Sequence, residues 1–290
     1  MKRLSRRHTV PCDKRYRVHE PALQVDLGET FVVETINFRT PIIRTPADAN
    51  PPAYREREET GPIFVTGIEP GDGLAIDILD IRPEGHASGG RYDDSERNAF
   101  LEISGGQVHF PGGLTAPVRM MIGDIYVTPA ELPVPNPWDN GGNMDFRDVA
   151  TGSTLHLKAQ REGALLVLGD LHAVQGDGEI LGLGAECAGE VTLRLRRDTT
   201  YRSDRPLIAK ANSFVAIACR HDYAEAGDLA AEDAAKVLSR LLGSTEAEAR
   251  LYVTTVGDLR NGAVWPMGRH KPGRATAVPL VVGLEVPLPT

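Results

Sequence analysis

Polar and apolar residues alternate strictly over Val191–Arg196 (VTLRLR), with Val191, Leu193 and Leu195 on one face and Thr192, Arg194 and Arg196 on the other. That is the pattern of a half-buried antiparallel strand. Ala164–Leu168 (ALLVL) and Ser213–Cys219 (SFVAIAC) are continuous apolar runs of strand length, which suit strands buried on both faces. Leu27–Asn37 predicts a long strand or strand pair behind a glycine turn. Pro62–Gly67 and Leu74–Ile81 predict two strands joined by the turn Glu69–Asp72, Gly123–Thr128 a short strand, and Val278–Val286 a closing strand pair or edge. Helical spacing occurs only late, at Asp228–Leu242 and Thr245–Thr254, with Ser244 as the expected N-cap of the second. Thr40–Gly61 and Pro83–Asp94 read as long surface loops, the latter holding His86.

These elements predict a mainly β fold, a β-sandwich or jelly-roll-like double sheet with a small C-terminal α/β segment. Composition agrees: 30 Gly and 21 Pro without a repeat period imply many short strands and tight turns. The expected organisation is one domain over 1–290, with 1–220 as the β core and 221–290 as a helical layer plus closing strands. A net charge of −8 without a strong basic patch argues against a nucleic-acid partner. No apolar stretch approaches the roughly 18 residues of a spanning helix, and the basic Met1–Arg7 is not followed by an apolar run, so no membrane partner is expected. Cys12, Cys187 and Cys219 are odd in number and far apart; they read as reduced thiols in a cytoplasmic protein.

The densest polar cluster is Gly169–Glu179 (GDLHAVQGDGE), directly after the apolar run Ala164–Leu168. If Asp170 and His172 continue that strand, their spacing of two puts both on one face. A carboxylate and an imidazole so placed suit joint coordination of a divalent ion such as Zn²⁺. The following glycines let the chain turn back and bring Asp177 or Glu179 toward the same point. A second cluster, Asn140–Asp145 (NGGNMD), offers Asp145 for the metal shell or for orienting substrate. Gly/Asp-rich segments are also common as plain turns whose carboxylates bond their own backbone.

The run from Gly141 to Glu186, with GGNMD, GSTL and GALLVLGDLHAVQGDGE, closely resembles the acetamidase/formamidase family. GPIFVTGIEPGDGLAIDILDI (Gly61–Ile81) and the segment Glu225–Arg260 are similar to further parts of that family. The sequence departs from the family pattern at Glu29, where an Asp is expected, and at Leu157-Lys158, where a Pro is expected after the GSTL strand. The resemblance implies a mostly β fold, hydrolysis of a short primary amide such as formamide or acetamide, an oligomer (commonly a homodimer), and a bound divalent metal in at least some members. The positions matching the family motif are Asp145, Asp170, His172, Gln175, Asp177 and Glu179.

The resulting assignment takes Asp170, His172 and Asp177 as metal ligands, Zn²⁺ preferred and Ca²⁺ possible. Glu179 is the general base, and Asp145 positions the amide or completes the shell. Asn143, Gln175 and Trp138 are candidate substrate contacts, Trp138 as a pocket wall or an ordinary core residue. Cys187 with Glu186 as base would be a nucleophile pair, but a lone intracellular Cys in a strand is more often a small buried hydrophobe. No G-x-S-x-G is present for a serine triad. His156, between Leu155 and Leu157, reads as facing solvent. The alternative from another class is a non-catalytic β-sandwich that holds a small ligand or structural Ca²⁺ through its Asp/Gly loops.

Overall fold

The computed structural model describes residues 1–37, 58–91, 94–180, 182–264 and 278–289. Its strands are β1 (Lys2–Leu4), β2 (Thr9–Pro11), β3 (Leu23–Asp26), β4 (Thr30–Thr35), β5 (Glu58–Thr66), β6 (Gly73–Arg91), β7 (Asp94–Ser104), β8 (Gln107–His109) and β9 (Thr115–Pro117). These are followed by β10 (Met121–Val127), β11 (Gly141–Asn143), β12 (Thr154–Lys158), β13 (Leu166–His172), β14 (Glu186–Asp198), β15 (Leu207–Ala209) and β16 (Ser213–Arg220). Helices α1 (Tyr223–Leu242) and α2 (Glu246–Val256) precede β17 (Asp258–Asn261) and β18 (Leu280–Pro287). The mainly β class and the late helices are as the sequence predicts. All the strands join one hydrogen-bonded network, antiparallel except for the pairs β1–β4 and β3–β5.

The apolar patterns explain the layering. Strand β16 is buried on both sides: Val215, Ile217 and Cys219 enter the main core, while Phe214, Ala216 and Ala218 face a second cluster under α1. Helix α1 meets that face with Ala226, Ala230 and Ala234, small residues at i, i+4 spacing that let helix and strand approach closely. It begins five residues before the predicted start because Asp222 caps it, accepting from Glu225 N at 2.8 Å. Thr245, not Ser244, caps α2 in a reciprocal capping box with Glu248, an arrangement that contributes about 1 kcal/mol. No helix among the described residues is long and apolar enough to cross a membrane.

Three expectations need correction. Pro83–Arg91 is not a loop but the second half of β6, paired with β14 through Ala87↔Cys187 and Ser88↔Glu186 and with β7 through His86↔Glu102. Its Gly and polar content reads as loop, yet ladders on both sides fix it extended, and at Gly89 an added Cβ would lie 2.9 Å from Leu101 Cδ1. His156 does not face solvent: it is 5% exposed, with Nδ1 3.2 Å from Asp198. Of the predicted loop Thr40–Gly61, the part before residue 58 lies outside the described residues, and the rest is β5.

Candidate functional site

Every residue of β10 and of β13 is buried, so polar side chains on these strands need partners in the protein. The two strands pair from Met121↔His172 to Val127↔Leu166, but the ladder skips Gly123 and Asp170. There Asp170 takes a left-handed backbone, φ 57°. Asp145 (φ 46°) and Glu179 (φ 45°) do the same. Non-glycine residues in that region carry strain of about 1–3 kcal/mol each and gather at functional sites. Here three acidic candidates carry it together.

The side chains converge on His172, which is fully buried. Its Nε2 lies 3.1 Å from Glu186 Oε2, 3.6 Å from Asp170 Oδ1 and 3.9 Å from Asp145 Oδ1. Asp145, Asp170 and His172 each offer a ligand atom within 4.8 Å of the others, and so do His172, Glu179 and Glu186. Burial pushes the His172 pKa down, but the Glu186 carboxylate at Nε2, with Asp145 and Glu179 behind it, outweighs this and lifts it to about 10. Gly123 makes room for the acids, since a Cβ there would lie 2.5 Å from Asp145 Oδ1 and 2.8 Å from Asp170 Oδ2. Gly184 does the same for the imidazole, with a Cβ position 2.5 Å from His172 Nδ1.

Gln175 was a candidate substrate contact, but both ends of its amide are used inside the protein. Its Nε2 donates to Asp145 O at 2.6 Å, and its Oε1 lies against His172 Nδ1. With the NH₂ end committed to a carbonyl, Oε1 accepts from Nδ1–H, which leaves Nε2 as the imidazole's free ligand atom when the ring is neutral. Asn143 Nδ2 donates to Asp145 Oδ2, so this residue steadies the acid directly.

Asp177 does not join the group. It pairs with Arg147 Nε at 2.5 Å and Arg260 Nε at 3.2 Å, while Glu179, two residues on, joins His172 and Glu186. Trp138 is half-buried at the core edge under the Arg220 guanidinium, 4.3 Å from the ring centroid, with His221 beside it at 6.0 Å. Glu186 is the group member the sequence reading cast in another role. It lies opposite His172 in the β13–β14 ladder, a register that no local spacing encodes. Cys187, next to it, is buried and its thiol is pushed well above the ordinary range by desolvation, which disfavours a thiolate nucleophile.

The chain is similar to known proteins in sequence and in fold. The model of the Acetamidase/Formamidase family matches residues 127–218, the stretch that carries β11, β13 and Glu186. The resemblance to that family holds. An acetamidase of Mycolicibacterium smegmatis is 29% identical over 201 residues, covering 43% of this chain and 49% of that protein. A formamidase of Methylophilus methylotrophus is 27% identical over 213 residues, covering 47% and 50%. The chain thus spans about half the length of these curated relatives. The crystal structure of an acetamidase from Bacillus halodurans superposes with a TM-score of 0.84 at 29% identity, covering 98% of this chain and 97% of that one. The acetamidase-like fold therefore extends over nearly the whole chain, beyond the segment the family model matches.

Proposed function

We propose that this chain hydrolyses a small primary amide of the formamide or acetamide class to carboxylate and ammonia, using water activated in the His172 group. The observation that carries the reading is the convergence of Asp145, Asp170, Glu179 and Glu186 on one buried imidazole within a fold shared with a solved acetamidase. The donor set fits a divalent cation: carboxylate oxygens and an imidazole nitrogen within 4.8 Å of one another suit Zn²⁺, while the excess of oxygen donors also suits Ca²⁺. Asp145, Asp170 and His172 would hold it. A cation there supplies Lewis acidity to the amide carbonyl and eases deprotonation of water.

The chain's own groups do the rest. Gln175 holds His172 with Nε2 turned toward the acids, and Asn143 holds Asp145. Glu179, 9% exposed, is the general base: it takes a proton from water as the water oxygen bonds to the carbonyl carbon. It returns that proton to the nitrogen as the C–N bond breaks and ammonia leaves. Burial of the group keeps bulk water from solvating the carboxylates, so each charge acts at full strength on the reacting atoms. The same reading takes the working unit to be a cytoplasmic homodimer, which light scattering on the purified chain and cell fractionation test.

An ammonia-release assay over formamide, acetamide and longer amides, run beside metal analysis, tests the proposal. Chelation should abolish turnover and Zn²⁺ should restore it. Glu179→Gln should lower turnover by about 10²–10⁴-fold, the usual contribution of a positioned base, with metal content intact. Full turnover after chelation, together with its loss in Cys187→Ala, would put the nucleophile in place of the metal. Cleavage of no amide at all would leave a binding module.

A further inference from the structure

Beside the buried group lies an open cleft of about 540 Å³, within the size range of small-molecule sites. We infer that this cleft binds a small organic carboxylate. None of the His172 group lines it, so the inference stands whether or not the chain cleaves amides.

The charge of the lining runs against that of the molecule. The chain carries a net −8, yet Arg119, Arg147 and Lys210 line the cleft against a single carboxylate, Asp148. Asp148 is already shared: Lys210 Nζ is 3.4 Å from it, Arg260 Nη2 3.2 Å, and Arg119 Nη2 3.8 Å, outside hydrogen-bond distance. Lys210 is satisfied by Glu285 at 2.5 Å. The two guanidiniums are not satisfied in that way. Among the described residues, Arg119, about half exposed, has no hydrogen-bond acceptor for its side chain, and Arg147 forms one ion pair, from Nε to Asp177. Two forks with open N–H pairs fit a planar carboxylate in bidentate fashion. Val118, Met120 and Ile81 supply apolar wall beside them, which a bare inorganic oxyanion would leave unused. The ligand class is therefore an acid with a short hydrocarbon body.

Ligand-observed NMR titration in low salt tests this with butyrate, its uncharged isostere 2-pentanone, and inorganic phosphate. Butyrate should bind saturably and at least about tenfold more tightly than the ketone, the effect expected for charge-assisted hydrogen bonds. Arg119→Gln and Arg147→Gln, with melting curves to confirm folding, should each weaken butyrate about tenfold by the same arithmetic. Undiminished butyrate binding in both variants overturns the site, as does the absence of saturation at tens of millimolar. Phosphate binding as tightly as butyrate, or ketone binding as tightly, overturns the ligand class.

Discussion

Gly123→Ala should separate the two acids of the candidate metal group with a single methyl. An added Cβ at this position would lie 2.5 Å from Asp145 Oδ1 and 2.8 Å from both the carbonyl oxygen and Oδ2 of Asp170. Ordinary contact begins near 3.4 Å, so the carboxylates must give way by about 0.6–0.9 Å in a close-packed interior. Asp145 has little slack, since its amide donates to Gly123 O at 3.0 Å and its carbonyl accepts from Gln175. Overpacking of this kind costs about 1–3 kcal/mol of stability. A displacement of about 1 Å in a catalytic group costs on the order of 10²-fold in rate. Metal content, ammonia release and melting temperature should be measured together, with Gly227→Ala in α1 as the control, because nothing lies within 4 Å of its added Cβ. The expected outcome is a modest melting shift with metal content and turnover both collapsing. A folded Gly123→Ala protein with unchanged metal content and turnover would show that Asp145 and Asp170 do not act on one ion, and the proposed mechanism would fall.

Glu186→Gln removes the strongest upward influence on His172, whose pKa stands at about 10; in metal-free protein the imidazole should titrate at lower pH by NMR, and an unmoved titration would refute the pairing. Cys187→Ala should leave turnover unchanged in the ammonia assay, because the thiol is buried and held protonated. At Asp77, burial raises the carboxyl pKa, but Arg196, Thr154 and Arg194 outweigh it and bring it down to about 2. A depressed pKa stabilises the fold above the unfolded value near 3.9 and loses that contribution as pH falls toward 2. Allowing for the half-exposed arginines, the stability gap between the native protein and Asp77→Asn should be about 1–2 kcal/mol at neutral pH and close between about pH 4 and 2 in denaturant titrations; a gap independent of pH would refute it.

Where the sequence was legible, one rule governed both local pattern and burial. Val191–Arg196 alternates because β14 has a core face and a wetter one, and the late helices show their apolar spacing because one side of α1 packs on β16 and β18 and α2 packs on α1. The rule broke at the start of β13. Ala164–Leu168 reads as a strand that, extended, carries Asp170 and His172 on one face; in the structure the strand begins at Leu166 and runs through Asp170 and His172, both buried. Ala164 and Leu165, the first residues of the predicted strand, have φ of 57° and 52° and belong to the turn before it.

One acid is the part that no local pattern supplies. Glu186 reaches His172 through the β13–β14 register, whereas Asp145, which the Asn140–Asp145 cluster already offers, comes in through the bond from Gln175 and the space kept by Gly123. Pro83–Arg91 was misread for the same reason: its polar and glycine-rich stretch becomes a strand only once β14 and β7 lie alongside, and β14 is the strand that delivers Glu186. The segment GDLHAVQGDGE thus supplies Asp170, His172 and Glu179 to the buried group. Asp177 turned outward to Arg147 and Arg260, and Gln175 became a brace for the imidazole. A run of titratable residues closed by glycines fixes which groups are available; the long-range ladders decide which of them share one buried point.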